Sequence, residues 1–548
     1  MHSSHPKKSL STFTRGKTTI VSNPEEIEEM IVQPDDVSVL DDTAVESRDL
    51  IQYHELDMNE VRVDPKWALK IPASLAMRKQ VIPLCKIQDE ITVACEDIED
   101  LTCQRQLTRL LENDVRMLAA EPTSLRATIK RVYGNLSASQ ARPNRGSVPN
   151  RASGEAATVE PDDAVAICDE VLEAAAMRDA SDVHFKPSET ALVVRMRVDG
   201  KLETYSTISR QLQGAVVSRL KVLSGLDIAE KRAPQDGRFT ARLGPNQVKM
   251  DLRVATLPTR FGERVTLRLL GGLGRALSLP NIGMSDDDLQ LFRRAITRPH
   301  GLVLLTGPTG SGKSTTLYAA IDEVLKRRGG NIITVEDPIE YEMQDVSQVE
   351  IDTADKVSFA KALRSILRHD PDVVMIGEIR DLETAEIAVK ASLTGHLVFS
   401  TLHTNTAAGV VTRLADMGLK PFLIAATLRL AVAQRLVRRL CAKCSTPRPI
   451  TKDEAILLDR PAIAGETIYE ACGCVYCAGK GYNGRIALIE CFDCDESVAR
   501  LITEGAGEEA LLANARRRER SMLMDDAVEK MLAGVTTYQE VLEAVVVW

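Results

Sequence analysis

Residues 307–314 constrain the fold of this 548-residue chain more than any other segment, because they fit the pattern G-x-x-x-x-G-K-[ST]. An apolar run at residues 302–305 precedes them, and a helical pattern begins at Lys313 and ends near Gly329 and Gly330. A strand that leads through a glycine-rich loop into a helix is the context in which this motif binds phosphate. The alternative is a glycine-rich turn that matches by chance, and the flanking strand and helix disfavour it. We therefore predict a phosphate-binding loop.

The chemistry of the loop assigns a role to its parts. Glycine allows backbone N–H groups to approach phosphate oxygens, and the helix N-terminus adds a favourable dipole. We expect Lys313 to bridge the β- and γ-phosphates of ATP, and the Ser314 hydroxyl to ligate Mg²⁺. The predicted nucleotide-binding residues of the loop are Gly307, Pro308, Thr309, Gly310, Ser311, Gly312, Lys313, Ser314 and Thr315.

Polar residues follow three further apolar runs, at the points where the strands of a parallel sheet would end. They are Glu336, Asp337 and Glu340 after residues 332–335, Glu378 after residues 373–376, and His403 after residues 397–401. The alternation of strands and helices in this region predicts an α/β domain, in which such strand ends face the ligand. A lone acidic pair at a strand end is usually a helix cap or a solvated turn. Three such clusters around one phosphate loop instead indicate a nucleotide site.

Two carboxylates are expected to carry the hydrolysis chemistry. ATP hydrolysis needs one carboxylate that orients the attacking water and another that holds the water shell of Mg²⁺. Glu340 and Glu378 are the predicted pair, and Glu336 and Asp337 are predicted to contact the nucleotide. The common Asp directly after the apolar run is absent, because Gly377 stands there, so we expect Glu378 to act on Mg²⁺ through water.

The charge balance and the hydropathy pattern exclude other classes of protein. The chain has 69 Lys and Arg against 78 Asp and Glu, and this net charge of −9 disfavours a protein that coats nucleic acid or anionic lipid. The best candidate for a membrane span, residues 419–440, is interrupted by five basic residues. An acidic run follows the basic N-terminus where a signal peptide would be apolar. We expect a soluble, cytoplasmic chain that has no transmembrane segment and does not bind nucleic acid directly.

Changes in composition divide the chain into seven segments. Acidic and polar residues near the N-terminus are typical of a flexible arm, and a later stretch has the composition of a linker. The predicted segments are an acidic disordered arm (1–50), an α+β docking domain (51–134), a flexible linker (135–160), an α+β domain (161–272), an α/β nucleotide-binding domain (273–440), a cysteine module (441–490) and a helical C-terminal region (491–548).

Two C-x₂-C pairs separated by 29 residues predict a structural zinc site. The four thiolates suit tetrahedral Zn²⁺ and leave no open position, so the metal is expected to fold the segment. The predicted ligands are Cys441, Cys444, Cys474 and Cys477. Cys472 lies beside the second pair and remains a competing ligand. We interpret a third pair, Cys491 and Cys494, as buried or free thiols.

These motifs together resemble the secretion and pilus-assembly ATPases of type II secretion and type IV pili. The resemblance covers roughly residues 56–548. Its nucleotide-site motifs are a Walker A loop at 307–314, an Asp box at 336–341, an atypical Walker B motif at 373–378 and a His box from 394 to 403. The second domain has matching motifs at 181–184, 195–200, 226–232, 234–239 and 258–268. The tetracysteine segment and residues 481–485 match as well.

The resemblance implies an α/β fold in which a RecA-like P-loop ATPase domain follows a PAS-like α+β domain, with an N-terminal α+β docking domain and a tetracysteine zinc insertion. In this family the nucleotide lies between the two lobes, and the subunits assemble as a hexamer. Glu340 matches the general base, and Arg253 and Arg268 match arginines that reach the terminal phosphates. His396 and His403 match phosphate-sensing histidines.

Four further arginines match family positions that serve subunit contacts or phosphate sensing. They are Arg364, Arg368, Arg380 and Arg413. A surface salt bridge is the alternative for each of them.

The implied function is a hexameric, Mg²⁺-dependent ATPase that drives pseudopilus or pilus assembly through inner-membrane platform and docking proteins. The chain would lie at the inner membrane only through these partners. Retraction motors of the family generally lack the cysteine segment and the extra N-terminal domain, so both features favour an assembly or secretion motor. Two alternatives remain, a DNA-translocating or conjugative motor on the same core and a nucleotide-sensing adaptor without turnover. The net charge disfavours the first, and the presence of Glu340 and Glu378 disfavours the second.

Overall fold

The computed structural model describes residues 55–134, 161–244, 246–270, 278–351 and 358–546. The predicted acidic arm, the predicted linker and the predicted boundary at residues 272 and 273 lie outside these ranges. Within the described ranges, no helix combines the length and the apolar character that a membrane span requires.

The N-terminal domain, residues 55–134, combines a three-stranded sheet with four helices. The strands are β1 (Val81–Ile87), β2 (Glu90–Cys95) and β3 (Asp114–Ala119), and the helices are α1 (Pro65–Ala68), α2 (Ala73–Lys79), α3 (Leu101–Leu111) and α4 (Pro122–Tyr133). β1 and β2 are antiparallel, and β2 and β3 are parallel. The Asp100 carboxylate accepts a hydrogen bond from the Cys103 N–H and so caps the start of α3.

The second domain is built on a six-stranded sheet. Its elements are α5 (Pro161–Met177), β4 (Asp182–Pro187), β5 (Ala191–Val198), β6 (Lys201–Ser209), α6 (Gln213–Leu223), β7 (Gln235–Leu243), β8 (Val248–Thr259) and β9 (Gly262–Leu270). The strand order is β6-β5-β4-β9-β8-β7, and neighbouring strands are antiparallel. The predicted hairpin turn at Asp199 and Gly200 is confirmed, because both residues have the positive φ angles that a tight hairpin turn needs, 49° and 85°.

The remaining described residues form the α/β domain and the segment that carries the cysteines. The strands are β10 (Gly301–Thr306), β11 (Ile332–Glu336), β12 (Ser347–Glu350), β13 (Val373–Ile376), β14 (Leu397–Leu402), β15 (Leu428–Leu440), β16 (Thr446–Pro449), β17 (Thr467–Glu470) and β18 (Tyr482–Asp493). The helices are α7 (Asp286–Ile296), α8 (Lys313–Arg328), α9 (Phe359–Ile366), α10 (Leu382–Leu393), α11 (Gly409–Asp416), α12 (Pro421–Thr427), α13 (Lys452–Leu457), α14 (Glu496–Thr503), α15 (Glu508–Arg517), α16 (Leu523–Leu532) and α17 (Tyr538–Val541).

The main sheet of this domain has the strand order β12-β11-β13-β14-β10-β15-β18. Neighbouring strands are parallel except β15 and β18, which are antiparallel. Alternate residues of β10 point to opposite faces: Leu302 and Leu304 belong to one buried cluster, and Val303 and Leu305 belong to another. Both faces are covered, which explains why the strand is apolar throughout.

β15 and β18 extend the sheet beyond the strands expected from the sequence. β15 lies in the stretch 419–440, where arginines interrupt the apolar pattern, and β18 overlaps residues 441–490, which the sequence assigns to the cysteine module. The two strands pair from Leu430 with Asp493 to Leu440 with Tyr482. The sheet therefore leads directly into the cysteine insertion, which we define as residues 441–481.

The cysteine insertion packs against the N-terminal domain. Val475 is fully buried in the core of that domain. Its carbonyl oxygen accepts a hydrogen bond from the Arg62 N–H at 3.2 Å. A Cβ atom on Gly479 would lie 2.5 Å from the carbonyl oxygen of Lys86, so this close approach requires glycine.

Four charged residues connect the N-terminal domain, the second domain and the cysteine insertion. Arg178, just after α5, donates two hydrogen bonds to the Asp64 carboxylate, at 3.0 and 2.9 Å, and both side chains are buried. Arg178 also lies 3.4 Å from Glu203 of β6, and Glu203 pairs with Lys480 of the insertion at 3.0 Å. We call these four residues the ion-pair chain.

Replacing Arg178 with Met should loosen the N-terminal domain. The change leaves the Asp64 carboxylate buried without its main partner, and removing one member of a buried pair costs about 3–5 kcal/mol. We expect residues 55–134 to exchange amide hydrogens faster, measured by mass spectrometry. Arg62→Met is the matched control, because Arg62 and Asp179 are 41% and 49% exposed and such a pair contributes less than about 1 kcal/mol. Equal exchange in the two variants would contradict the prediction.

Candidate nucleotide site and cysteine cluster

The phosphate loop connects the carboxyl end of β10 to the start of α8. Gly307, Gly310 and Gly312 have φ angles of 142°, 79° and 87°, which glycine adopts readily. A Cβ atom on Gly307 would lie 2.3 Å from the carbonyl oxygen of Gln434 on β15. The shape of the loop therefore depends on glycine at this position.

The Lys313 ammonium group lies against the loop. Its Nζ donates hydrogen bonds to the carbonyl oxygens of Gly307 at 2.7 Å and Pro308 at 3.0 Å. Burial lowers the pKa of Lys313 to about 8, the carboxylate of Glu378 opposes this fall, and the guanidinium of Arg435 adds to it. A cation at a helix N-terminus fits an anionic ligand.

A buried hydroxyl also fits a phosphate ligand. Ser311 is 3% exposed, and its Oγ has no hydrogen-bond partner among the described residues. A buried polar atom without a partner is costly, so a ligand oxygen here would satisfy it.

Glu378, Arg380 and His403 meet near Lys313. The Glu378 carboxylate forms an ion pair with Arg380, and His403 Nε2 lies 3.7 Å from Glu378 Oε2. Burial lowers the pKa of His403, the charge of Lys313 adds to this, and Glu378 opposes it. These residues meet because β13 and β14 are parallel neighbours, so the segments that follow them leave the same edge of the sheet.

Glu336, at the end of β11, is buried and held by neighbouring side chains. Its carboxylate accepts hydrogen bonds from Thr334 Oγ1 at 2.6 Å, Gln348 Nε2 at 3.2 Å and the Tyr318 hydroxyl. The Tyr318 oxygen in turn accepts a hydrogen bond from the Glu340 N–H at 3.2 Å. Glu336 thus fixes the segment that carries Glu340, whereas the following Asp337 is exposed.

Glu340 lies within electrostatic range of two arginines of the second domain. Loss of hydration raises the pKa of Glu340, and the charges of Arg268 and Arg253 oppose the rise. The two arginines are direct cross-strand partners on β8 and β9. Arg253 pairs with Glu350 of β12 at 3.0 Å, and Arg268 pairs with Asp182 at 3.1 Å. The second domain therefore brings two cations to the predicted base.

His396 lies away from this cluster. It precedes β14, its carbonyl oxygen accepts a hydrogen bond from the Gly301 N–H at the start of β10, and its Nδ1 lies 2.9 Å from the Ala391 carbonyl oxygen. The phosphate loop follows the other end of β10, about 17–20 Å farther along the sheet at ~3.3 Å per residue. His396 and His403 therefore lie at opposite ends of β14, and the phosphate-sensing role of His396 stays a prediction.

Two of the four further arginines, Arg364 and Arg413, lie on helices of the α/β domain. Arg364 on α9 forms an exposed ion pair with Glu383, and Arg368 donates a hydrogen bond to the Arg364 carbonyl oxygen at 3.0 Å. Arg413 lies on α11. Of the four, Arg380 is the one that pairs with a predicted site carboxylate.

Two polar residues of β15 lie at the phosphate loop and were not predicted. Gln434 is 1% exposed and Arg435 is 5% exposed. Gln434 Nε2 donates a hydrogen bond to the Ser311 carbonyl oxygen at 2.8 Å, and Arg435 Nη2 donates one to the Asn405 carbonyl oxygen at 3.1 Å. The sequence signal is a Gln-Arg pair directly after an apolar run, and it has no meaning until β15 is known to adjoin β10.

The four predicted zinc ligands form one buried cluster. They are Cys441, Cys444, Cys474 and Cys477, whose sulfur atoms all lie within 4.8 Å of one another. Three pairs lie 3.7–3.8 Å apart. A tetrahedral Zn²⁺ with Zn–S bonds of about 2.3 Å separates its sulfurs by about 3.8 Å, so the donor set fits structural zinc.

Backbone N–H groups near the cluster point at its sulfur atoms and so suit thiolates, the form of cysteine that binds metal. The Gly473 and Gly481 N–H groups donate hydrogen bonds to cluster sulfurs at 3.3 and 3.1 Å. Such contacts orient metal ligands.

The other candidate cysteines lie elsewhere. Cys472 is exposed, and it is not one of the four clustered cysteines. Cys491 and Cys494 pack in the apolar clusters of the α/β domain.

Comparison with known proteins identifies the family. The profile of the Type II/IV secretion system protein family matches residues 159–543, and the MshEN domain profile matches residues 51–139. The chain therefore belongs to the type II/IV secretion system protein family. The α/β fold with a RecA-like ATPase domain is confirmed, and the PAS-like character of the second domain stays a prediction.

Similar proteins span most of the chain. The type II secretion system ATPase E of Vibrio cholerae is 50% identical over 363 residues, 66% of this chain and 71% of that protein. The type II secretion system protein E of Pseudomonas aeruginosa is 42% identical over 484 residues, 86% of this chain and 95% of that protein. The type IV pilus assembly ATPase PilB of Myxococcus xanthus is 38% identical over 499 residues, 89% of this chain and 88% of that protein.

A solved structure supports the fold. The ATPase DotB of Legionella pneumophila matches with a TM-score of 0.52 at 24% identity, over 72% of this chain and 96% of that one. At this identity the match bears on the fold alone.

The purified chain should contain about one zinc ion per chain, measured by inductively coupled plasma mass spectrometry. Cys474→Ser should lose the metal, because a tetrahedral site cannot keep its affinity with three thiolates. Cys494→Ser is the control and should keep its zinc. Full zinc in Cys474→Ser would show instead that Cys472 or the pair Cys491 and Cys494 supplies a ligand.

Proposed function

We propose that this chain is an assembly or secretion motor: a Mg²⁺-dependent ATPase that works as a hexamer and drives pseudopilus or pilus assembly through an inner-membrane platform protein. ATP hydrolysis is the activity of its family relatives that are named ATPases. The observation that carries the proposal is the glycine-rich phosphate loop that holds Lys313. Glu378 and His403 lie together at the same edge of the sheet, and Arg253 of the second domain pairs with Glu350 of β12.

Glu340 is the proposed general base. Its raised pKa suits a carboxylate that orients the attacking water and accepts its proton. The Tyr318 hydroxyl and Glu336 hold the backbone of Glu340 in place. Arg253 and Arg268 would neutralise the charge that develops on the terminal phosphate. Stabilising this charge is a main part of catalysis in phosphoryl transfer.

The phosphate loop would hold the nucleotide with its backbone N–H groups and with Lys313. Ser314 and Glu378 would hold Mg²⁺, Ser314 directly and Glu378 through water. When bound, Mg²⁺ neutralises charge on the β- and γ-phosphate oxygens. His403 and Arg380 are proposed to respond to the terminal phosphate through Glu378, to which both are paired.

The N-terminal domain and the cysteine cluster support an assembly or secretion role over retraction. The chain would act on the cytoplasmic side of the inner membrane, held there by platform and docking proteins. A DNA-translocating motor is the alternative on the same core, and the net charge of −9 disfavours it. Strong, salt-dependent DNA binding would favour that alternative.

Glu340→Gln should lower kcat for ATP hydrolysis at least about 100-fold and leave ATP affinity within a few-fold, because an amide cannot accept the proton of the attacking water. Steady-state kinetics and nucleotide titration of the assembled enzyme measure both. The matched control is Glu342→Gln, at an exposed position two residues away, which should keep its rate within about twofold.

Two other results would change the assignment. An unchanged rate in Glu340→Gln would remove Glu340 as the base. No turnover in the assembled wild-type chain would favour the nucleotide-sensing adaptor.

An exposed apolar pair on the N-terminal domain is the proposed contact with the membrane partners. Ile98 is 54% exposed and Leu101 is 61% exposed. Leu101→Asp should weaken binding to vesicles that contain the platform and docking proteins about tenfold, with the basal ATPase rate unchanged. Ile456→Asp, at a position 62% exposed in the cysteine insertion, is the control. Wild-type binding by Leu101→Asp would exclude this contact.

A further inference from the structure

Gln434 is a buried polar residue that stands directly beside the phosphate loop. β15 runs parallel to β10, and Ala433 pairs with Thr306, so Gln434 lies level with the start of the loop. The preceding residues of β15, Leu430 to Ala433, are fully buried and apolar. A 1% exposed amide after such a run needs hydrogen-bond partners, and the loop provides them.

Gln434 contacts the loop through three atoms. Its Nε2 donates a hydrogen bond to the Ser311 carbonyl oxygen at 2.8 Å, and its Oε1 accepts one from Thr316 Oγ1 at 2.8 Å. A Cβ atom on Gly312 would lie 2.8 Å from Nε2, and one on Gly307 would lie 2.3 Å from the Gln434 carbonyl oxygen. One residue thus joins both ends of the loop to the first turn of α8.

The hydrogen bond to Ser311 fixes the direction of a neighbouring donor. The peptide that joins Ser311 to Gly312 is planar and trans, so its C=O and its N–H point in opposite directions. Because the carbonyl oxygen of this peptide is bonded to Gln434, the Gly312 N–H must point away from β15. In a phosphate loop that N–H is one of the donors to the phosphate.

We propose that Gln434 is a positioning residue for the nucleotide: it holds the peptide between Ser311 and Gly312 in the orientation that presents the Gly312 N–H to phosphate. The inference rests on the ATPase activity proposed above and deepens it. Gln434 does not touch the reacting atoms. It should therefore affect nucleotide affinity more than the rate of the chemical step.

The first test replaces Gln434 with Met, which keeps the length of the side chain and removes both hydrogen bonds. We expect KM for ATP and Kd for Mg²⁺–ADP to rise about tenfold, which corresponds to about 1.4 kcal/mol, with kcat within about threefold. Steady-state kinetics and isothermal titration of the full-length, zinc-loaded chain measure these values.

Thr427→Val is the matched control for loss of stability alone. Thr427 is equally buried, precedes β15, and donates a hydrogen bond to the Leu423 carbonyl oxygen at 2.7 Å, away from the loop. It should lower Tm with KM unchanged. If Gln434→Met does not assemble, Thr316→Val removes the hydroxyl that donates to Gln434 Oε1 and so orients the amide, and KM should rise about threefold.

The outcomes separate this inference from the proposed function. KM and Kd within about twofold of wild type in Gln434→Met, or in Thr316→Val where that variant carries the test, overturn the positioning role. A rise in KM that Thr427→Val reproduces also overturns it. A wild-type chain that neither binds nor hydrolyses ATP would instead contradict the proposed function.

Discussion

The close approach of β15 to the phosphate loop is the constraint on which the nucleotide site depends. The loop has backbone but no side chain at Gly307 and Gly312, where added Cβ atoms would lie 2.3 and 2.8 Å from atoms of Gln434. The loop is therefore held on one side by a sheet strand and begins α8 on the other. In this arrangement the Lys313 ammonium group lies against the loop carbonyl oxygens.

The residues at strand ends could be predicted from the sequence because the rule that groups them is local. Each apolar run predicts a buried strand, and parallel strands end at one edge, so Lys313, Glu378 and His403 meet as expected. His396 stands before β14 and not after it, so the same rule places it at the opposite edge of the sheet from His403. The family motif includes both histidines, but the direction of β14 decides which edge each one occupies.

What the sequence could not predict depends on pairing between distant segments. Neither β15 nor β18 has a simple apolar pattern. No short turn joins the two strands, because the cysteine insertion separates them. In the sequence alone, Gln434 cannot be distinguished from other polar residues, because its role depends on the position of β15 beside β10. The cysteine cluster was predictable because ligand spacing is itself the signal, whereas burial of Val475 in the N-terminal domain has no local signal at all.

β15 also connects the nucleotide site to the N-terminal domain. From Gln434 the strand reaches Cys441 in seven residues, about 23 Å at ~3.3 Å per residue, and it pairs with β18 along this stretch. A paired strand resists bending, so this stretch of β15 is a stiffer connection between the phosphate loop and the cysteine cluster than an unpaired segment would be. The cluster in turn fixes the segment that buries Val475 and holds Lys480 against Glu203. The second domain and the sheet therefore both contact the element to which the N-terminal domain is attached.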